Sequence, residues 1–314
     1  MKNYLCLFFG VCFFLFCGCS SAPPTIALLT DYGTHDHYVG ELQGVILSIN
    51  SKVRLVTITH EIPSYDIREG SYILATAARD FPPRTIFVAV IDPGVGSKRR
   101  AVILETADKK FFVGPDNGLF TDVMRTMDVK RAFEITNVLW YRTSAISSTF
   151  HGREIFGPAA AHLAAGENVE SAGRLITDLQ KFQRSEVVWR EGKIRGEIMH
   201  RDRYGNLITN IAAPVLAKAG WRTGMDLDFT VGFQTARAKF GDRYSSVPKG
   251  DFVMLLNSQG LLEIARNLDA AASILGAAAG DTVEVRTAGS SPANSTEDAA
   301  KTAPVKVVSP TTKS

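Results

Sequence analysis

The chain has 314 residues, of which 45% are hydrophobic, and a formal net charge of +3 at pH 7. This length and apolar content are sufficient for one large domain or two ordinary domains with cores of their own. The weak positive balance, without a basic run or a basic-aromatic alternation in the folded part, argues against a nucleic-acid-binding protein.

The N-terminal segment is typical of an export signal. Lys2 precedes a strongly apolar run, residues 4–17, which is too short to span a membrane as a mature helix. Gly18 and Cys19 end the run as in a bacterial lipoprotein processing site, so residues 1–19 are predicted to be a signal peptide with Cys19 as the lipidation site. A plain signal peptide cleaved nearby and an uncleaved anchor are the alternatives. The sequence therefore predicts an exported lipoprotein that is anchored to a membrane on its periplasmic or cell-surface side.

The use of cysteine limits the chemistry of the folded part. All four cysteines lie at or before Cys19. Disulfide bonds, thiolate metal ligands and cysteine nucleophiles are therefore excluded from the rest of the chain, which suits an oxidising compartment.

Strands and helices alternate over residues 25–175, which predicts an α/β domain with a mainly parallel sheet. Two β-rich runs, residues 25–29 and 53–59, each precede a segment with apolar residues at helical spacing. A third run, residues 85–91, is apolar almost throughout, as expected for a strand covered on both faces. It ends at Asp92, which places a carboxylate just past the carboxyl end of a strand, where open α/β sheets bind ligands.

The second half of the chain has a different pattern. Short alternating strands predict a smaller, barrel-like or sandwich-like all-β domain over residues 186–287. The less regular residues 166–184 are taken as the domain boundary. Residues 288–314 are rich in Ala, Ser, Thr, Pro and Lys, and their low apolar content predicts a disordered tail.

Polar side chains recur in the loops that follow these strands, and three kinds of chemistry are compatible with them. A metal site would use carboxylate and imidazole ligands, although the spacing matches no known ligand motif. Its ligands would come from Asp31, His35, Asp36 and His37, with Asp92 and His151. A hydroxyl nucleophile among residues 147–149, activated by His151 and Asp92, lacks the Gly-x-Ser-x-Gly turn that such nucleophiles use.

The third hypothesis is a water molecule positioned by Asp92, Arg99 and His151. The carboxylate and histidine would orient the water and accept a proton, while the guanidinium would fix the carboxylate. Each residue also has a simpler interpretation. On spacing alone, Asp92 and an arginine after it form a plain ion pair, and His151 caps or supports the helix that begins near Glu154.

Several motifs occur together in the chain, and the combination is more specific than any one of them. They are Thr30-Asp31-Tyr32-Gly33, Thr59-His60-Glu61-Ile62-Pro63, Ile91-Asp92-Pro93-Gly94-Val95-Gly96, Gly114-Pro115-Asp116-Asn117-Gly118, Ser147-Ser148-Thr149-Phe150-His151-Gly152-Arg153, Tyr204-Gly205-Asn206 and Ile264-Ala265-Arg266-Asn267. In this order they resemble the S-adenosyl-L-methionine (SAM) hydroxide adenosyltransferases, relatives of the fluorinase and chlorinase enzymes. The resemblance covers about residues 25–286.

The resemblance implies an α/β domain, a barrel-like C-terminal domain, and a homotrimer with active sites between neighbouring subunits. It implies that SAM and water give adenosine and L-methionine by attack of water or hydroxide on the ribose C5′, without a cofactor or metal ion. In the hydrolase branch an Asp-Arg-His set holds the water, and this set falls on Asp92, Arg99 and His151. Halogenase relatives have an aromatic residue in place of Asp92, so water is the expected nucleophile here.

The substrate-binding residues implied by the resemblance come from both domains. They are Asp31, Asp36, Tyr65, Asp202, Tyr204, Asn206, Arg266 and Asn267. Asp31 is similar to the acid that holds the ribose hydroxyls, with Asp36 as a second candidate on that side, and Tyr65 to an aromatic residue near the ribose and sulfonium. Asp202 would pair with the methionine ammonium and Asn206 would read the adenine, with Arg266 and Asn267 near the adenine edge.

The chain departs from the halogenase relatives at two positions. Gln259 stands where they have an arginine and Gly152 where they have a serine, so the contacts to the methionine carboxylate are not assigned. The alternative function is a non-catalytic lipoprotein that binds adenosine or SAM. Because SAM is made in the cytoplasm, an exported protein would either be held near a SAM or adenosine source or serve another adenosyl ligand, and the sequence leaves both open.

Overall fold

The computed structural model of the chain describes residues 22–143 and 145–289. The predicted signal peptide with Cys19 lies outside these residues, as does the predicted tail from residue 290 onward. In the part of the chain that is described, no helix is both long enough and apolar enough to cross a membrane.

The N-terminal domain alternates strands with helices, as the sequence predicted. Its elements are β1 (Thr25–Thr30), α1 (Tyr38–Ile49), β2 (Arg54–Thr59), α2 (Ile67–Ala78), β3 (Ile86–Val90), β4 (Ala101–Thr106), β5 (Phe111–Pro115), α3 (Thr121–Thr126), β6 (Val129–Ile135), α4 (Gly157–Ala164) and β7 (Gly173–Ile176). Short helical turns at Val138–Trp140, Gly152–Phe156 and Val169–Ala172 connect them.

The strands of this domain form one mixed sheet in the order β2-β1-β3-β5-β4-β6-β7. β2, β1, β3 and β5 run parallel, whereas β4, β6 and β7 are added antiparallel. The expected α/β class is confirmed, with the parallel part confined to one half of the sheet. In the register of β1 and β3, Thr30 is opposite Val90, so Asp31 and Asp92 leave the sheet at the same edge.

Strand β3 lies inside the domain and is covered on both faces. Ile86, Val88 and Val90 pack in the cluster that includes residues of α1 and α4. Phe87 and Ala89 pack on the other face, against residues of α2 and α3. All five residues are buried, which explains why the run is apolar without alternation. Full burial of each large side chain contributes about 1.5–3 kcal/mol, so this strand is fixed firmly in the core.

The C-terminal domain is a closed barrel. Its elements are β8 (Val188–Arg190), β9 (Lys193–Arg201), β10 (Leu207–Ala212), α5 (Ala213–Lys218), β11 (Asp226–Val231), β12 (Gln234–Phe240), β13 (Phe252–Leu256), β14 (Leu261–Arg266), α6 (Ala271–Leu275) and β15 (Thr282–Thr287). In the described residues the strand order is β10-β14-β13-β12-β11-β15-β9-β8, and β10 also pairs with β9. That pairing closes seven strands into a barrel, and β8 pairs with β9 outside the barrel. The prediction of a barrel-like domain is confirmed.

An ion-pair cluster joins the two domains. Arg184, in the connecting segment, contacts Asp122 of α3 at 2.7 Å and Glu197 of β9 at 3.4 Å. Arg68 of α2 reaches the same Glu197 at 3.3 Å, and both guanidinium groups lie over the ring of Phe182. Because these carboxylates are almost fully buried, the cluster holds the barrel against α2.

Candidate active site

Asp92, Arg99 and His151 form a continuous hydrogen-bonded set at the carboxyl edge of the N-terminal sheet. Arg99 Nε donates to Asp92 Oδ1 at 3.0 Å and Oδ2 at 3.1 Å, and Arg99 Nη2 donates to Oδ2 at 2.5 Å. The same Nη2 lies 2.6 Å from His151 Nδ1. The Asp92 side chain is only 6% exposed, so the ion pair is held away from bulk water.

Two loops bring these residues together. Asp92 follows β3 and begins a tight turn in which Val95 N donates to the Asp92 carbonyl oxygen. Gly96 in this turn has a φ of 76°, and a Cβ there would lie 2.4 Å from the carbonyl oxygen of Ser148. Only glycine permits both the left-handed conformation and this approach, so Gly96 lets the loop before His151 pack against the Asp92–Arg99 loop.

The hydrogen bond from Arg99 determines the proton position on His151. A guanidinium has only donors, so Nδ1 of His151 must accept, and the neutral ring carries its proton on Nε2. Burial lowers the pKa of His151, and the positive charge of Arg99 lowers it further. His151 is therefore neutral near pH 7, and its Nε2–H makes no hydrogen bond to any described residue, so this donor is free for a ligand.

Asp31 lies beside this set, at the end of the neighbouring strand β1. Its Oδ2 accepts the backbone N–H of Tyr65 at 3.0 Å. Burial raises the pKa of Asp31, and the negative charge of Asp92, which follows the neighbouring strand β3 at the same sheet edge, adds to the rise. Tyr65 has a φ of 69°, which is strained for a residue with a side chain, and the residue is 71% exposed.

The remaining polar residues of the first loop point to solvent. His35 is fully exposed and lies 3.6 Å from Asp36, and His37 lies 3.8 Å from Glu41. Among the described residues, no group of three or more His, Cys, Asp or Glu side chains is arranged to hold a metal ion. No hydrogen bond joins Asp36 to Asp31 in the described structure, so the role of Asp36 at the ribose stays a prediction.

The hydroxyl side chains before His151 do not engage it. Ser147 Oγ and Thr149 Oγ1 lie 3.0 Å apart in an exposed turn. In the described structure no hydrogen bond joins either of them to His151, whose Nδ1 is already bound to Arg99. The geometry therefore gives no support to a hydroxyl nucleophile.

A second group of predicted residues lies at the turn between β9 and β10. Asp202 Oδ1 accepts the backbone N–H groups of Tyr204 at 2.9 Å and Asn206 at 2.8 Å. Asp202 Oδ2 accepts Nδ2 of the buried Asn206 at 2.9 Å. One N–H of the Asn206 amide is thus used within the protein, whereas its Oδ1 has no partner among the described residues and remains available as an acceptor.

Arg266 and Asn267 use their side chains within the same end of the barrel. Arg266 Nε donates to the Gly250 carbonyl at 2.8 Å, and its guanidinium pairs with Asp269. Asn267 Nδ2 donates to the Val247 carbonyl at 2.7 Å. These bonds fix the backbone of the loop after β14, so any contact that it makes with a ligand falls mainly to main-chain groups.

A cleft of about 690 Å³ lies between α2 and the barrel and includes Asp202 and Gln259 in its wall. Sequence reasoning missed two polar pairs here, each formed by a residue that lines the cleft, Tyr244 or His200, and a buried acid. Tyr244 donates its hydroxyl to Glu263 at 2.8 Å, and burial raises the pKa of that acid. His200 hydrogen-bonds Glu69 across the domain junction. No local motif marks these pairs, because the barrel fold brings Tyr244 to Glu263 and the packing of the two domains brings His200 to Glu69.

The predicted residues therefore form two groups in the folded chain. Asp31, Tyr65, Asp92, Arg99 and His151 make the first, at the sheet edge. The second is formed by the C-terminal residues Asp202, Tyr204, Asn206, Arg266 and Asn267. Within the described residues, no hydrogen bond, ion pair or ring contact joins one group to the other.

Both domains of the chain match models of one protein family. Residues 26–173 match the SAM hydroxide adenosyltransferase N-terminal domain, and residues 196–284 match the C-terminal domain of that family. The chain belongs to the SAM hydroxide adenosyltransferase family. The resemblance carried by the sequence motifs is thereby confirmed.

Relatives of this family member are similar over most of its length. An (R)-S-adenosyl-L-methionine hydrolase from Methanocaldococcus jannaschii is 33% identical over 273 residues, which cover 83% of this chain and 95% of that protein. A fluorinase from an Actinoplanes species is 30% identical over 277 residues, covering 78% and 91% respectively. The crystal structure of an uncharacterized conserved protein from Thermotoga maritima matches with a TM-score of 0.81 at 35% identity, covering 83% of this chain and 99% of that chain.

Proposed function

We propose that this protein hydrolyses SAM to adenosine and L-methionine, with Asp92, Arg99 and His151 holding the attacking water. The observation that carries the proposal is the assembly of these three side chains into one buried hydrogen-bonded set. The naming of relatives as SAM hydrolases supports the choice of substrate. A protein that only bound adenosine or SAM would have no need of such a set.

The geometry defines a part for each group in the reaction. Asp92 Oδ2 accepts two N–H groups of Arg99, whereas Oδ1 accepts one, so Oδ1 keeps a lone pair for a water O–H. His151 Nε2–H donates to the water oxygen. The oxygen attacks C5′, the C5′–S bond breaks with its electron pair going to sulfur, and the water proton passes to Asp92 and then to solvent. The sulfonium is a good leaving group, so alignment of a desolvated water supplies most of the catalysis.

The substrate would be held by both groups of residues. The Asp31 carboxylate beside Asp92 would accept the ribose hydroxyls, and Tyr65 would pack its exposed ring near the sulfonium. Asn206 would accept the adenine amino group through its free Oδ1. Asp202, in the wall of the cleft between α2 and the barrel, would pair with the methionine ammonium. No metal ion or cofactor takes part in this scheme.

We also infer that the complete site forms between neighbouring subunits of a homotrimer. Support comes from the separation of the two groups in one chain, and from exposed apolar side chains beside each group. Tyr65 is 71% exposed at the first group, while Tyr204 and Leu268 are 78% and 79% exposed at the second. Contact between subunits at these positions would remove this apolar surface from water.

Product analysis tests the proposed activity. The chain without residues 1–19 is incubated with SAM, and adenosine and methionine are quantified by chromatography. Equal amounts of both products support the proposal, whereas bound SAM without products would assign the protein to the non-catalytic alternative. Mixing inactive Asp92→Ala and Asn206→Ala subunits tests the shared site. Mixed trimers regain activity if the two groups come from different subunits, and stay inactive if one chain holds the whole site.

Export and anchoring are a separate proposal, which rests on the sequence alone. We propose that the segment before Cys19 directs export and that Cys19 carries the lipid, because the charged start, apolar run and Gly18-Cys19 pair are typical of lipoproteins. Mass spectrometry of the mature N-terminus tests this. A lipid-modified Cys19, with release from the membrane fraction in Cys19→Ala, is the expected result, and an unmodified N-terminus at another residue contradicts it.

A further inference from the structure

The side chain of Tyr32 reaches the same corner as the Asp92–Arg99–His151 set. Its ring packs at 6.0 Å from that of Tyr38 and edge-on at 5.6 Å to that of Phe150. Phe150 directly precedes His151, and Tyr38 begins α1. These contacts fix the ring, so the hydroxyl at its end has a defined position.

The Tyr32 hydroxyl lies against Gly152, the residue after His151. A Cβ at Gly152 would be 2.3 Å from Tyr32 Oη and 3.3 Å from Cζ of the ring. The hydroxyl thus occupies the space that a side chain at position 152 would fill. Gly152 also begins the π-helical turn Gly152–Phe156, a local widening of the helix that is frequent at functional sites.

The Tyr32 hydroxyl has no hydrogen-bond partner among the described residues, although its ring is packed. No described residue forms a hydrogen bond with Tyr32 Oη. Within the described chain, Arg184 Nε is the one side-chain nitrogen or oxygen that is sealed from solvent without a partner, so Tyr32 Oη is still reached by solvent. A phenol held in this way is available to water or to a ligand.

The charges around Tyr32 keep it protonated. Burial raises its pKa above the ordinary value, and the carboxylates of Asp31 and Asp92 raise it further against a smaller opposing effect of Arg99. The phenol therefore acts as a neutral hydrogen-bonding group across the working pH range. It cannot compete with Asp92 for the proton of the water.

We propose that Tyr32 is a further catalytic residue, whose hydroxyl oxygen accepts the second O–H of the attacking water. The inference rests on the proposed SAM hydrolysis. A water molecule has two O–H groups and two lone pairs. Asp92 Oδ1 takes one O–H and Tyr32 Oη the other, His151 Nε2–H donates to one lone pair, and the second lone pair points to C5′. In the reaction Tyr32 keeps its own proton, while the water proton that is hydrogen-bonded to Asp92 passes to Asp92 and then to solvent.

Steady-state kinetics of Tyr32→Phe test the proposal on the chain that begins after Cys19. This variant keeps the ring and removes only the hydroxyl. Loss of one hydrogen bond that orients the water predicts a fall in kcat of about tenfold, with KM within about twofold and an unchanged melting temperature. Tyr38→Phe is the matched control, because its ring belongs to the same aromatic group and it is expected to keep the wild-type kcat.

A double-mutant cycle with Gly152→Ala distinguishes the effect of the Tyr32 hydroxyl on kcat from an effect of altered packing. The new Cβ collides with Tyr32 Oη, so Gly152→Ala by itself should also lower kcat relative to the wild type. Once the hydroxyl is gone, the nearest contacts of that Cβ are 3.2 Å and 3.3 Å, which small shifts accommodate. We therefore expect kcat of the double variant Tyr32→Phe/Gly152→Ala to be at least as high as that of the less active single variant. A kcat reduced by the product of the two single-variant losses would overturn the proposal.

The outcomes distinguish this inference from the proposed function. If the wild type forms no adenosine, both are overturned. If the wild type is active and Tyr32→Phe keeps its kcat, the inference about Tyr32 alone is overturned. A rise in KM without a fall in kcat would also overturn it, because it would place the hydroxyl on the substrate rather than on the water.

Discussion

Replacement of Asp92 by asparagine tests the core of the proposed mechanism. Asp92→Asn keeps the shape of the side chain and removes its charge. The amide group has a single acceptor oxygen, while Arg99 directs N–H groups at both oxygens of the aspartate. At least one N–H group of the buried guanidinium would then face the amide nitrogen, which is also a donor.

The expected size of the effect follows from these contacts. Hydrogen bonds to charged groups contribute about 1.5–3 kcal/mol each, and breaking a buried pair costs about 3–5 kcal/mol. Because the amide retains one acceptor, we expect the free energy of unfolding to fall by about 3 kcal/mol. Loss of the proton acceptor for the water predicts a fall in kcat of about 100- to 10,000-fold.

The chain offers a matched control in the next arginine. Arg100 donates to the buried carboxylate of Asp116 at 2.8 Å through Nε and at 2.6 Å through Nη2. Asp116→Asn therefore removes a similar buried ion pair, but this pair has no contact with His151. We expect Asp116→Asn to lower stability by a comparable amount and to leave kcat near that of the wild type.

The two variants are compared by urea unfolding and by adenosine release at saturating SAM. The assay is run well below the midpoint of unfolding of both, so that only folded protein is measured. Equal values of kcat in Asp92→Asn and Asp116→Asn would refute the reasoning, because any loss in the first would then reflect damaged packing rather than a missing proton acceptor.

Three further predictions concern pH, metal ions and the domain junction. Because the active form of His151 is neutral and its pKa is lowered, kcat should stay flat near neutral pH and fall only below the ordinary value of about 6.5. An acid limb centred above that value in a kcat profile would contradict the assignment. A chelator should leave adenosine formation unchanged, since displacement of a sulfonium needs no Lewis acid, and loss of activity that added metal restores would refute this. Arg184→Met leaves the buried carboxylates of Asp122 and Glu197 without this partner, so urea unfolding should show a loss of about 3–5 kcal/mol, whereas wild-type stability would contradict a structural role for the cluster.

The alternation of strands and helices, and the change to short strands after residue 186, were sufficient to predict an α/β domain followed by a barrel-like domain. These patterns are local, because burial on both faces of a strand such as β3 requires an unbroken apolar run. The antiparallel addition of β6 and β7 was not predicted, since β6 pairs with β4, and β7 with β6, only once the chain has folded.

For the site, the sequence by itself determined that Asp31 and Asp92 each follow a strand. The family resemblance identified Arg99 and His151 as the residues that act with Asp92. Only the tertiary structure decided that Arg99 bridges Asp92 and His151, because that contact requires Gly96 to let two separate loops pack together. It also decided that Tyr32 presents its hydroxyl at Gly152 and that Glu263 and Tyr244 pair in the cleft. Such contacts join residues that are distant in the chain, and their geometry is set by packing, which no local pattern records.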